Sequence, residues 1–198
     1  LPKDKEKYII SPKDICTLDL IPDLMDSGID SFKIEGRMKR PEYTAITTYT
    51  YRKYVDKYLD LGREKYERYI SDNKKEFNQD KMNLLDIYNR GGFSNGYFYN
   101  RNGRSMITLD KPNHSGLEVG YVSKVAKGRL SIKLTKDINK GDVLKVVSGH
   151  DDNKTYEYTT GLSQEAGSIT ETNYDRRVSI ERGARVFRVR NNSLIDYL

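Results

Sequence analysis

The chain has 198 residues with a formal net charge of +6, a hydrophobic content of 36% and a charged content of 32%. That length allows one large domain or two small ones, and the mean hydropathy of -0.80 leaves no run of about 18 apolar residues to cross a membrane. A single cysteine, Cys16, excludes an intrachain disulfide and fits a reducing, cytoplasmic setting.

The opening "LPKDKEKYII" has neither an apolar signal core nor an initiator Met, and reads as an internal stretch of a longer chain. "YIISPKD" predicts a short extended run ending in a Ser-Pro turn. In "TLDLIPDLMDSGID", Leu20, Ile21, Leu24 and Met25 fall at helical spacing, and Gly28 supplies a stop. "SFKIE" then predicts a strand from Ser31. Pro41 suits a first helical turn, so a helix is expected from there to about Leu59, with Thr47, Tyr51, Tyr54, Val55 and Tyr58 inward. Helix, strand and helix make one slice of a parallel α/β architecture. Residues 1–75 therefore read as a partial α/β piece, whose open faces are expected to be covered by another part of the chain or by self-association.

Residues 76–104 read as helix and linker, with "MNLLDIYNRGG" helical and capped by Gly91 or Gly92. From Ser105 the texture changes to short alternating runs: "SMITL", "LEVGYVSKV", "RLSIKL", "DVLKVV", "TYEYTT", "RRVSIE" and "RVFRVR". "AKGR" between two of them is a hairpin signal. Residues 105–198 thus predict a small antiparallel β-barrel, with Val143, Val146, Val178 and Val186 in its core. "INKGDVLKVV" and "IERGARVFRV" echo one another, each a turn feeding a strand. The fold class is α+β: a partial α/β N-terminal segment followed by the barrel.

The chemistry-bearing residues cluster early. Lys33, Arg37, Lys39 and Arg40 follow the expected strand, and Arg37 offers a planar fork to phosphate or carboxylate. A solvated helix entry accounts for the same charges. Glu35 can orient Arg37 or act as a general base. Cys16 beside Ile15 reads as a small buried hydrophobe, because His114 and His150 both lie in the other region and no metal-ligand spacing is present. The two glycines around His114 are explained by a turn before a strand. Arg176–Arg190 holds six Arg against Glu181; such strands can grip a nucleic-acid backbone, or simply blunt a soluble edge.

The stretch from Tyr8 to Ala45 resembles the peptidase U32 family, also called collagenase-like proteases. The matching residues are Ser11, Lys13, Asp14, Cys16, Asp30, Ser31, Lys33, Ile34, Glu35, Gly36, Arg37, Met38 and Lys39. "YNRGGFSNGYF" and "NHSGLEVGYV" resemble later segments of the same family.

This resemblance implies the C-terminal portion of a larger protein, the upstream part of which would be a partner. It implies an iron–sulfur cluster in that parent, with Cys16 the last of four cysteine ligands and no cluster in the fragment itself, which is then expected to be inactive. It also implies one of two classes of activity, peptide cleavage or hydroxylation, the latter of a base in transfer or ribosomal RNA or of a quinone ring. Catalytic candidates are then Glu35 and Arg37, and Lys33, Arg37, Lys39 and Arg40 are the anion-binding set. A non-catalytic RNA- or protein-docking barrel is the alternative.

Overall fold

The computed structural model describes residues 11–99, 106–108, 114–149 and 154–196. Tyr8–Ile10, Ser105, Leu109 and His150 lie outside them. The chain divides into two compact units, Leu1–Asn113 with Leu198, and His114–Tyr197.

In the first unit a two-residue strand β1 (Asp14–Ile15) leads through a 3-10 turn (Leu18–Leu20) into the short helix α1 (Ile21–Asp26). Leu18, Leu20 and Ile21 are buried. A long helix α2 (Pro41–Asp72) follows, opened by Pro41, and then α3 (Lys74–Ile87). The helix expected to stop before Gly62 is interrupted there: Gly62 takes a non-helical conformation (φ 70°, ψ 169°), and a second helical segment resumes after it and runs to Asp72. Charge pairs one turn apart support the solvated far half, Arg63 with Glu67 and Arg68 with Glu64.

Thr47, Tyr54 and Tyr58 of the expected inward stripe are buried; Tyr51 and Val55 are partly so. Tyr54 packs edge-on against Phe77 of α3 at 5.0 Å between ring centroids, and its hydroxyl donates to Asp80 at 2.8 Å. Lys53 bonds Glu76 at 2.7 Å and Asp80 at 2.6 Å. Burial works against the Lys53 ammonium, but these two carboxylates hold its pKa above the ordinary lysine value. Tyr58 donates to Asp26, Tyr99 donates to Asp23, and Arg63 bridges both carboxylates.

The strand expected at "SFKIE" does not form. Burial alternates from Ser31 to Gly36, with Phe32 and Ile34 turned partly inward, but no neighbouring strand pairs with the segment. Period-two patterning gives a strand only where a partner supplies the ladder. Instead β1 pairs in parallel with β2 (Phe93–Ser94), and Pro12 bridges Ile107.

The second unit is a six-stranded antiparallel sheet curled into a half-barrel. Its strands are β3 (Leu117–Ala126), β4 (Arg129–Leu134), β5 (Val143–Val147), β6 (Thr155–Thr159), β7 (Ile169–Asn173) and β8 (Arg185–Arg190), in the order β6-β5-β8-β3-β4-β7. The barrel character is present, but the edge strands β6 and β7 share no backbone ladder. Tyr156 of β6 instead donates its hydroxyl to the Asn173 carbonyl at 2.7 Å. Val119, Val122, Leu130, Ile132, Leu144, Val146 and Val186 are fully buried, whereas Val143 and Val178 are only partly so.

"AKGR" forms the β3–β4 hairpin as expected. Lys127 (φ 47°) and Gly128 (φ 84°) both take the left-handed conformation that a two-residue hairpin of this hand requires. The echoed segments are structural counterparts. Asp142 N–H closes onto the Asn139 carbonyl and Ala184 N–H onto the Glu181 carbonyl, each turn feeding one of the paired strands β5 and β8.

"RRVSIE" is not a strand. Asp175 accepts from the Arg177 N–H at 2.9 Å and from its Nε at 2.8 Å, which closes a turn. Conversely, β7 was not read from the sequence, because "ITETN" is polar and exposed at alternate positions, as an edge strand is.

Of the arginines from 176 to 190, Arg188 is buried against Asp142 at 3.1 Å, Arg185 pairs with Glu118 at 3.6 Å, and Arg176 donates to the Lys127 carbonyl at 2.7 Å. The stretch is largely committed to the fold. Asp142 is fully satisfied, accepting also from Asn139 N–H at 2.9 Å and Asn192 N–H at 2.8 Å. The short helix α4 (Asn192–Asp196) follows.

Two outcomes are expected. A Cβ at Gly120 would collide with the Lys133 carbonyl oxygen across the β3–β4 ladder. Gly120→Ala should therefore destabilise the half-barrel by about 2 kcal/mol or more, read by chemical denaturation. The carboxyls of Asp23 and Asp26 are held below the usual carboxylate range, chiefly by the tyrosine hydroxyls of Tyr99 and Tyr58 and then by Arg63. A depressed folded pKa gives stability that is present above the unfolded aspartate value, about 3.9, and lost as pH falls through the folded one. The hydrogen-exchange protection of α1, relative to the intrinsic rate at each pH, should thus fall below about pH 4, and Arg63→Ala should weaken that acid dependence.

Candidate functional site

Two separated sequence segments converge in the first unit. Asp14 accepts from the backbone N–H of Arg90 at 2.8 Å and takes its guanidinium in a fork, Nη2 to Oδ1 at 3.1 Å and Nε to Oδ2 at 3.3 Å. Both side chains are largely buried, which strengthens a charge-assisted pair relative to an exposed one. The carrier turn is built by Asn89, a buried side chain. Its amide donates to the Leu85 carbonyl at 2.8 Å, and its oxygen accepts from Gly92 N–H at 3.0 Å. The backbone N–H of Cys16 then donates to the Ser94 carbonyl at 3.0 Å, continuing the β1–β2 pairing.

This places Cys16 in a defined pocket. Its side chain is buried, and burial pushes the thiol pKa up. Two donors oppose that shift, the Leu18 backbone N–H and the Tyr51 hydroxyl 4.0 Å from Sγ. Tyr51 also accepts from Thr17 N–H at 2.8 Å. Its own pKa is raised, first by burial and next by the neighbouring Cys16.

The Tyr51 ring meets Phe32 at 6.0 Å between centroids, so a chain of contacts runs from the thiol to the root of the cationic strip. Among the described residues no group of three or more His, Cys, Asp or Glu is arranged to hold a metal ion.

The strip itself is divided. Lys33 lies 3.9 Å from Glu35, with both side chains exposed. Glu35 accepts from the Arg37 backbone N–H at 3.1 Å, and Lys39 N–H closes a turn onto the Gly36 carbonyl at 2.9 Å. Glu35 thus fixes the turn that presents Arg37. The Lys39 ammonium sits 3.1 Å from the centroid of Tyr88 and 6.0 Å from that of Tyr43. Arg37 and Arg40 are exposed and make no ion pair among the described residues. Arg40 immediately precedes α2 in an extended conformation, as a residue before proline prefers.

Sequence reasoning named Cys16, Glu35 and the four cations. It missed Asp14–Arg90, Tyr51 and Tyr88, which position them. The available signal was that Asp14 and Arg90 each stand in a segment that resembles the family. His114 lies in the second unit, and its neighbours Gly116 and Gly120 meet the Arg188 and Lys133 carbonyls.

Arg90→Ala leaves a largely buried carboxylate without its partner, at a cost of about 3 kcal/mol. It should loosen β1, and Cys16 should then be alkylated by iodoacetamide at pH 8 faster than in the parent chain. In the parent, labelling should be slow until urea opens the first unit, because the buried thiol stays protonated.

Residues 2–108 match Peptidase family U32. An uncharacterized protease of Methanocaldococcus jannaschii is 30% identical over 187 residues, 91% of this chain and 41% of its own length. The 23S rRNA 5-hydroxycytidine C2501 synthase of Escherichia coli is 33% identical over 150 residues, 72% of this chain and 21% of its own. The tRNA hydroxylation protein P2 of Bacillus subtilis is 37% identical over 92 residues, 46% of this chain and 28% of its own. The chain therefore spans well under half the length of these relatives. No solved structure matches it. With the match covering more than half of its residues, the chain belongs to peptidase family U32.

Proposed function

We propose that this chain is the C-terminal portion of an RNA-base hydroxylating enzyme. The observation that carries this reading is the set of relatives named for RNA hydroxylation, one of them 33% identical across 72% of the chain. The site is compatible with it. Arg37 and Arg40 are exposed cations at the entry of α2, in reach of a polyanion.

An iron–sulfur cluster could take Cys16 as one ligand. A ligating sulfur must be a thiolate, and here burial holds the thiol protonated while the Leu18 N–H and Tyr51 hydroxyl offset only part of that, so the metal itself would have to displace the proton. The chain contains one cysteine, so further ligands would come from beyond these residues. When bound, such a cluster supplies electron transfer. Asp14, Arg90 and Tyr51 would hold the Cys16 segment in place, while Glu35 orients the turn that presents Arg37 to the substrate backbone.

A second reading, proteolysis, is favoured by the M. jannaschii relative, an uncharacterized protease that matches 91% of the chain. Cleavage of collagen or casein by the full-length protein, with no hydroxylated base formed, would establish it in place of the first.

Arg37→Ala in the full-length protein should lower RNA hydroxylation at least about tenfold while leaving the melting temperature within about 1 °C, since an exposed arginine contributes little to folding. Turnover and thermal melts on the same preparation decide it. A large drop in melting temperature with normal turnover would make Arg37 structural.

A further inference from the structure

Arg37 and Cys16 stand in different segments of the first unit, yet two side-chain contacts join them. Lys39, two residues after Arg37, holds its ammonium 3.1 Å from the centroid of the Tyr88 ring. Tyr88 stands two residues before Arg90, whose guanidinium forks onto Asp14. Asp14 in turn stands two residues before Cys16. One cation–π contact and one largely buried ion pair therefore connect an exposed arginine to the thiol.

Each step of this path is held. A Cβ at Gly36 would come within 2.5 Å of Thr44 Oγ1, so the turn that presents Arg37 lies directly against the first turn of α2. Lys39 N–H closes that turn onto the Gly36 carbonyl at 2.9 Å. Tyr43, beside Thr44, meets the Tyr88 ring edge-on at 6.0 Å between centroids. Tyr88 ends α3 in an extended conformation that leads the chain to Arg90.

The three cations of the turn are not equivalent. Arg37 and Arg40 are exposed. Lys39 between them is half-buried, makes no ion pair among the described residues, and lies within the range at which a ring quadrupole attracts a cation. A phosphate can reach the two guanidinium groups without disturbing the fold, whereas it reaches Lys39 only by drawing it off the ring.

We infer that Lys39 is a positioning residue: through Tyr88, Arg90 and Asp14 it fixes the distance between an RNA phosphate on Arg37 and the Cys16 segment. The inference rests on the RNA reading above. It assigns Arg37 to holding the substrate and Lys39 to placing it, so two positive charges two residues apart have different kinetic effects.

Steady-state hydroxylation of unmodified transfer and ribosomal RNA by the full-length protein tests this, with hydroxylated nucleosides counted by mass spectrometry. Lys39→Met should lower kcat at least about tenfold, because a misplacement of about 1 Å is enough for such a loss, while KM stays within about threefold. Arg37→Ala should instead raise KM, as the loss of binding shared by ground and transition states does. Lys39→Arg, whose guanidinium also stacks on an aromatic face, should restore kcat to within about threefold of the parent. Tyr88→Leu should reproduce Lys39→Met, and the double variant should be no slower than Tyr88→Leu alone, since both act through one contact.

A raised KM with unchanged kcat in Lys39→Met makes Lys39 a phosphate ligand and overturns the assignment. Additive effects of Lys39→Met and Tyr88→Leu overturn it too, as do unchanged kinetics in Lys39→Met, and both results leave the RNA reading standing. A parent that hydroxylates neither RNA overturns that reading and the assignment with it. A melting temperature lowered by several degrees, with normal kcat per folded molecule, makes the contact structural only and overturns the assignment. Lys39→Gln gives the same readouts if Lys39→Met does not fold.

Discussion

The forked pair between Asp14 and Arg90 is the constraint on which the first unit's site depends. The two residues are 76 positions apart, yet each belongs to a short segment with little structure of its own. β1 and β2 have two residues each, too few to hold together by ladder bonds alone. The ion pair, with three bonds converging on one carboxylate, supplies what the short ladder lacks. Cys16 inherits its position from this clamp, and so does the turn bearing Gly96 to Tyr99. A site made of loops can be well placed when a desolvated, geometrically specific bond fixes the loops to each other.

The half-barrel uses the same device. Asp142 is wholly buried and pairs with Arg188, while its remaining oxygen valences take two backbone N–H groups. An unpaired carboxylate there would carry a large desolvation cost, so the arrangement holds only as a complete set. It ties the turn before β5 to the end of β8, the two paired strands whose preceding turns are related in sequence. In each unit a carboxylate that receives both a backbone N–H and an arginine locks a turn to a distant strand or turn.

What could be read from the sequence follows from the range of the interactions. Local chemistry was legible: the Lys127–Gly128 hairpin, the Gly28 stop after α1, the proline opening of α2 and the paired turns before β5 and β8 depend on residues within a few positions. The errors arise where a partner decides. Ser31–Glu35 has the alternation of a strand and no neighbour to pair with. "RRVSIE" has strand-like composition, but Asp175 captures Arg177 and bends the chain. β7 is an edge whose one large apolar residue, Ile169, is exposed, so its signal falls below that of a central strand. Gly62 does interrupt the helix, as its left-handed φ requires, and the charged sequence beyond it resumes a helical segment to Asp72.

The cationic strip shows why residue type alone could not settle the site. Four positive side chains within eight residues suggest one anion cradle. The structure gives them different local partners: Lys33 faces Glu35, Lys39 lies over Tyr88, and Arg37 and Arg40 stay in solvent. A lysine over an aromatic face has part of its charge offset by the ring quadrupole, so it contributes less to a distant anion than an exposed guanidinium. Arginine also offers a planar fork that matches a phosphate with two bonds, which an ammonium cannot. The strip therefore reduces to two arginines just before the start of α2, with Glu35 setting the turn that carries one of them. Lys39 belongs to the packing that joins the α2 entry to the turn after α3, the same turn that supplies Arg90 to Asp14.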